Sequence, residues 1–211
     1  MAIYLTSAYL APVQYYTKFT TEQKVIIEQN DNYVKQTYRN RCTIVSANGP
    51  ISLSIPVAHS SSEKIMTKDI RIAEHGNWQH MHWNAIVSAY NSTPFFEFYQ
   101  DDFHPFFHKK TDYLFDFNAG LHSLILNLLN MDSSDICFTD GYKTDFSGGE
   151  SDMREIIHPK KEWKTDADFH PTPYYQVFDR KFGFIENMSI IDLLFNMGNE
   201  SLIVLKNSTG R

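Results

Sequence analysis

The chain has 211 residues, 42% of them hydrophobic, and a formal net charge of −6. That length and apolar content suit one large globular domain or two small ones rather than a disordered polymer. The acidic balance argues against general binding to a nucleic-acid backbone. No run reaches the roughly 18 uncharged apolar residues of a membrane span. The N-terminus lacks the basic start and long apolar run of a signal peptide. Cys42 and Cys137 sit in separate β-like runs and suit buried thiols more than a disulfide. These features predict a cytoplasmic protein, in which Asn-x-Ser/Thr triplets such as Asn91-Ser92-Thr93 carry no glycan.

Ile3-Tyr4-Leu5 predicts a short buried strand, and Tyr9-Leu10-Ala11-Pro12 turns out of it. Pro12 fits the first position of a short helix through Tyr15, Tyr16 and Phe19, where its missing N–H costs nothing. Lys24-Val25-Ile26-Ile27-Glu28 is apolar and β-branched at its centre and predicts the next strand. Strand, helix, strand makes a β-α-β unit with parallel strands. Such units bind ligands beyond the carboxyl ends of their strands, here residues 6–12. Two further β runs, Cys42-Thr43-Ile44-Val45 and Ile51-Ser52-Leu53-Ser54-Ile55, are joined through Asn48-Gly49-Pro50, a hairpin signal. Alternation of Ile51, Leu53 and Ile55 with Ser52 and Ser54 gives one dry and one wet face. Residues 59–64 are Ser-rich and predict an exposed loop. Asp69-Ile70-Arg71-Ile72 reads as another strand.

Residues 77–118 hold many of the aromatics and four of the nine histidines. Asn77 is a candidate helix cap. Trp78, His82, Ala85, Ile86 and Ala89 fall on one helical face, and His80, Trp83, Val87 and Tyr90 on a second, which predicts a largely buried helix. Thr93-Pro94 breaks it. Short helical pieces follow over 95–99 and 105–110. Asp112 can cap a long amphipathic helix carrying Leu114, Phe117, Leu121, Leu124, Ile125 and Leu128. Ile136-Cys137-Phe138-Thr139 is a late strand. Residues 140–169 are polar and predict an irregular, flexible insertion. Ser189 caps a helix with Asp192 in a capping-box position, Gly198 ends it, and a last helix follows from Ser201. The expected fold is one α+β domain over residues 1–211. Its mixed sheet opens with the β-α-β unit and a hairpin, and its helices lie in the second half.

Familiar catalytic motifs are absent: there is no Gly-x4-Gly-Lys loop, Gly-x-Gly-x-x-Gly, His-Glu-x-x-His or Gly-x-Ser-x-Gly. Asp166-Ala167-Asp168 could hold a divalent metal on a sugar-nucleotide diphosphate, but a surface loop explains it as well. His104 and His108 share a helical spacing without further zinc ligands. No metal and no cofactor is therefore assigned. His80 and His82, two apart on a helix, point to different faces and cannot chelate one ion. Each reads plainly as a satisfied core histidine; His82 alone carries an acid/base or positioning reading beside it. Arg39 and Arg41 read either as ion-paired flanks or as an anion site. Phe95, Phe96, Phe98 and Tyr99 read as core.

Several blocks in order are similar to the WbqC-like proteins of bacterial O-antigen and polysaccharide genes. They are Tyr9-Leu10-Ala11-Pro12 with Tyr16; Asn40-Arg41 before Ile44, then residues 53–56; Trp78, His82, Tyr90, Phe95, Phe96 and Tyr99; Leu114 with Asn118; and Ser189-Ile190-Ile191-Asp192-Leu193-Leu194-Phe195-Asn196-Met197-Gly198. The chain departs from the family at Ser7-Ala8, where a Gln-Pro pair is usual, and at Gln14-Tyr15, where a Gly is. The resemblance implies a transferase of surface-polysaccharide assembly that moves glycine or an amino-acyl group onto a sugar. Its partners would be small activated amino-acyl and sugar substrates. His82 would be the general base. Asn40 and Arg41 would hold a carboxylate or phosphate, and Tyr9, Tyr90, Asn118 and Asp192 would contact or orient substrate, although Asp192 also reads as a cap. Two other functions stay open: a non-catalytic binding or scaffolding protein of the same pathway, and a nucleotide-sugar-dependent transferase, against which the glycine-poor first loop argues. The sharpest expectation is that Arg41, His82 and Asn118 converge near residues 6–12.

Overall fold

The computed structural model describes residues 1–58, 64–132 and 136–210. In chain order its elements are β1 (Ala2–Thr6), α1 (Val13–Thr17), β2 (Lys24–Glu28), β3 (Arg41–Ser46), β4 (Gly49–Ser54), β5 (Val57–Ala58) and β6 (Arg71–Ile72). Then come α2 (Trp78–Tyr90), α3 (Phe96–His108), α4 (Leu114–Leu128), β7 (Cys137–Phe138), β8 (Glu150–Asp152), α5 (Asp179–Phe182), α6 (Ile190–Met197) and α7 (Ser201–Asn207). The predicted loop at 59–64 lies outside the described residues except for Lys64.

Strand β1 is the axis. It pairs in parallel with β2, Ala2 opposite Lys24 through Thr6 opposite Glu28, and in parallel with β8 on its other edge. Strand β7 extends the sheet beyond β2, again in parallel. The order is β7-β2-β1-β8. Ile3, Tyr4 and Leu5 are all buried, as expected of a parallel strand covered on both faces. The predicted β-α-β unit is thus present, with α1 as its crossover. Antiparallel pairing occurs in two separate ladders, β3 with β4 and β5 with β6. In the first, Ala47-Asn48 make the two-residue turn and Gly49 takes a φ of 101°, a region that side chains avoid. Cys42, Ile44, Leu53 and Ile55 face inward while Ser52 and Ser54 are exposed. The fold is α+β, with parallel and antiparallel pairings and its longer helices after residue 77. Residues 140–169, which the sequence marks as irregular, supply edge strand β8.

Helix α2 buries Trp78, His82, Trp83, Ile86, Ala89 and Tyr90, so both expected faces contribute, while His80 is exposed. Asn77 is not a side-chain cap. It adopts a left-handed conformation with φ 46° and makes no capping hydrogen bond, a conformation asparagine tolerates better than most residues. The two short helices expected near 95–110 are one helix, α3, with Pro105 in its interior. Burial of Phe103 and Phe107 on either side of Pro105 offsets the lost backbone hydrogen bond. Asp112 does not cap α4: Tyr113 occupies that position, and the Asp112 carbonyl accepts from Ile72 N–H at 2.9 Å. The capping box at α6 is absent too, since the Ser189 hydroxyl donates to the Leu10 carbonyl at 2.7 Å. One buried apolar cluster runs from Ile3 on β1 to Leu205 on α7. Among the described residues no helix is long and apolar enough to cross a membrane.

Candidate functional site

Residues 7–12 leave β1 at its carboxyl end, and the loop and the start of α1 are tied to two distant segments. Tyr9 N–H donates to the Tyr38 carbonyl at 2.8 Å, Ile190 N–H to the Ala11 carbonyl at 2.8 Å, and Val13 N–H to the Met188 carbonyl at 2.9 Å. Within this loop Leu10 has a φ of 41°, costly for a branched residue. The Ser189 hydroxyl on its carbonyl helps to hold it.

Two sequence-predicted residues meet this loop. The Tyr9 hydroxyl lies 2.9 Å from His82 Nδ1, and both side chains are buried. Burial lowers the His82 pKa from 6.5 to about 4, against a smaller upward pull from a hydrogen bond with the Ser54 backbone. The imidazole is therefore neutral at neutral pH and is engaged on two sides. Burial also raises the Tyr9 phenol well above its ordinary range, helped by Cys42. From α4, Asn118 Nδ2 donates to Ser7 Oγ at 3.1 Å and to the Arg39 carbonyl at 2.7 Å. Phe117, beside it, packs on both Tyr9 and Trp78, at 6.0 and 5.4 Å between ring centroids. The aromatic contacts are why α2 and α4 can aim polar groups at one short loop.

Arg41 lies one residue farther out. Its Nε donates to Ser54 Oγ at 3.1 Å, so Arg41 and His82 share Ser54 as a neighbour. Among the described residues Arg41 forms no ion pair, whereas Arg39 is buried against Asp31. Asn40 donates to the Ile55 carbonyl at 2.9 Å and its Oδ1 is buried without a partner. Tyr90 and Asp192 belong to a different group. Asp192 accepts from Tyr90 at 3.0 Å, from Tyr174 at 2.7 Å and from Gln176 at 2.8 Å, all buried. Burial raises the Asp192 pKa and its three donors pull it back down. This network joins β3, α2 and α6, for Tyr90 also accepts from Val45 N–H at 3.2 Å.

The remaining candidates resolve as structure. Asp166 is buried, not a surface carboxylate: it pairs with Lys18 at 2.6 Å and accepts from Gln14 at 2.9 Å. His104 and His108 stack on each other at 3.6 Å between centroids. His80 is exposed and lies 2.9 Å from Asn84.

One residue escapes the sequence reading. His122, on α4 four residues after Asn118, is buried and lies 3.2 Å from the Tyr16 hydroxyl through Nδ1. Asn118 and His122 line a cavity of about 10 Å³ with Ser7, Ala8, Ile27 and Phe138. It sits at the carboxyl side of β1, β2 and β7. A signal was available, because an asparagine and a histidine on the buried stripe of Leu121 and Ile125 break its apolar pattern.

The parallel sheet, the separate antiparallel ladders and the helices place the chain among α+β proteins. More closely, the chain belongs to the WbqC-like protein family, whose pattern matches residues 7–157, over half its length. The loop after β1, His82 and Asn118 lie inside the matched region, and the block from Ser189 to Gly198 lies beyond it. No curated protein and no solved structure matches the chain.

Proposed function

We propose that the protein is a transferase of surface-polysaccharide assembly that moves glycine or another amino-acyl group onto a sugar. One observation carries the reading. Polar side chains from α2 and α4 are brought to the loop at the carboxyl end of a parallel strand, where α/β sheets bind ligands. The polysaccharide setting is what the resemblance to the WbqC-like family implies. In the reaction an acceptor hydroxyl or amine attacks an activated acyl carbon; a new C–O or C–N bond forms and the bond to the leaving group breaks. Arg41, which pairs with no carboxylate among the described residues, is the cation for a carboxylate or phosphate of the donor. Asn118 fixes the loop through Ser7. A base role for His82 needs an open ring nitrogen, and its Nδ1 already meets Tyr9. In this reading His82 is a positioning residue that acts through Tyr9.

A second reading, a non-catalytic binding protein of the same pathway, is favoured by the burial of His82. The nucleotide-sugar reading gains nothing at α1. Val13 and Gln14 N–H groups there are taken by Met188 and Asn187, leaving no cradle for a phosphate. Incubation with an activated glycine donor and a hexosamine acceptor tests the proposal. A product heavier by one glycyl group supports it. Sugar-induced stabilisation with no product favours the binding protein, and stabilisation by nucleotide sugars alone favours the third reading.

A further inference from the structure

Beside the loop that follows β1 the surface opens into a cleft of about 330 Å³. Its lining includes Tyr38 and Met188, whose carbonyls accept from Tyr9 and Val13 N–H, so the cleft adjoins residues 7–12. Lys161, Trp163, Lys164 and Glu186 also line it, and all four lie beyond the stretch 7–157 that matches the family.

Buried Gln14 holds the cleft in shape. Its Nε2 donates to Asp166, just after the short turn Trp163–Thr165, at 2.9 Å. Its Oε1 accepts from Asn187 Nδ2 at 3.2 Å, and its N–H donates to Asn187 Oδ1 at 3.0 Å. Asn187 is itself part of the lining. Lys161 N–H closes a turn on the His158 carbonyl at 3.0 Å. Trp163 is fixed between these segments. It is half-buried and edge-on to Phe169 at 5.5 Å between centroids, and its indole N–H donates to Glu186 at 3.0 Å. An aromatic ring ordered in advance at a polar cleft lowers the entropy cost of binding there.

The lining also selects the ligand. Lys161 and Lys164 are balanced by Glu162 and Glu186; all four are exposed, and none is ion-paired among the described residues. Neither an anion nor a cation therefore meets a surplus of opposite charge. A neutral ligand rich in hydroxyls is suited instead, since each hydroxyl donates once and accepts twice. Carboxylates take its hydrogens, and ammonium and amide N–H groups bond its oxygens. A sugar ring adds an apolar face of C–H groups, which an indole covers. The volume is at the lower end for ligand sites and suits a mono- or disaccharide.

We propose that this cleft binds a neutral sugar, with the indole of Trp163 against the apolar face of the ring and Lys161, Glu186 and Asn187 bonding its hydroxyls. The role of that sugar as acceptor rests on the transferase reading; the binding itself is independent of it.

The test uses the full chain labelled with ¹⁵N-tryptophan, titrated with galactose, with N-acetylglucosamine and with glycine. The indole N–H resonance of Trp163, identified by its loss in Trp163→Phe, should move with at least one sugar and stay still with glycine. Glu186→Ala should weaken sugar binding about tenfold, as loss of hydrogen bonds to a charged group does. Trp163→Ala should weaken it as well; Glu186, at an exposed position, decides the matter should Trp163→Ala fail to fold. Three results overturn the site: a Trp163 resonance unmoved by either sugar, a response to glycine as large as that to sugar, or a Glu186→Ala variant that binds like the wild type. Sugar binding at Trp163 without glycyl transfer sinks the transferase reading alone. Glycyl transfer with an unchanged acceptor KM in Glu186→Ala sinks the cleft alone.

Discussion

Acid should destabilise this protein through two histidines that fold neutral, and His122 isolates the effect. Its pKa falls from 6.5 to about 3 because the ring is buried. On unfolding, the ring regains a pKa near 6.5 and takes up a proton at mildly acidic pH. The unfolded state then binds more protons than the folded one, so stability rises with pH in that window. The contribution is complete above about pH 6.5 and is lost as pH falls toward the folded value near 3. Between pH 7 and pH 5 the linkage relation gives a loss of about 2 kcal/mol from this one ring. His82, lowered to about 4 by burial, adds a similar loss, so the pair costs about 4 kcal/mol, a large share of a typical folding free energy. Urea unfolding at both pH values, on wild type and His122→Asn, measures the difference. Carboxylates titrate alike in the two proteins and cancel. The variant should lose about 2 kcal/mol less than wild type on acidification. Equal acid sensitivity, within about 0.5 kcal/mol, would refute the claim that His122 is held neutral by burial.

Trp78 is buried against His82 and Phe117, so Trp78→Ala should cost about 3–5 kcal/mol in denaturant unfolding; a loss below about 1 kcal/mol would place the helix at the surface. Asp192→Ala strands three buried donors and should destabilise by roughly 3 kcal/mol or more, with any surviving folded fraction keeping its sugar response in a thermal shift; a stable variant that has lost the response would make Asp192 a ligand contact. Arg41→Ala, half-buried with one bond to Ser54, should change stability by less than about 1 kcal/mol yet abolish stabilisation by an anionic amino-acyl donor, and an unchanged donor response would remove Arg41 from the site.

The parts of the fold written locally were legible. β2 shows as Val25-Ile26-Ile27, and the β3–β4 hairpin as Ser/Ile alternation around Asn48-Gly49. Strand β8 was not, because Glu150-Ser151-Asp152 carries no apolar pattern and owes its strand state to backbone pairing with Ala2, Ile3 and Tyr4. Pro105 looked like the start of a separate short helix because the continuous helix around it is held by Phe103 and Phe107 packing on distant partners such as Phe195 and Trp83. The same contrast runs through the site. His82 and Asn118 stood out, and each does touch the loop after β1. Asp192 read as a substrate-orienting group or a cap, since nothing local shows that Tyr90 arrives from 102 residues away. His122 passed as one more residue of an amphipathic helix, and only the three-dimensional structure shows it lining one cavity with Asn118 and meeting the Tyr16 hydroxyl.

The central claim is that ligands are handled at the carboxyl end of β1. Mapping amide chemical shifts across the whole chain, during titration with an activated glycine donor and then with a hexosamine, tests it most directly. The account predicts that the perturbed amides cluster at residues 7–12, around Arg41 and around Asn118. Perturbations confined to the opposite, amino-terminal end of the sheet, near Lys24 and Cys137, would contradict it.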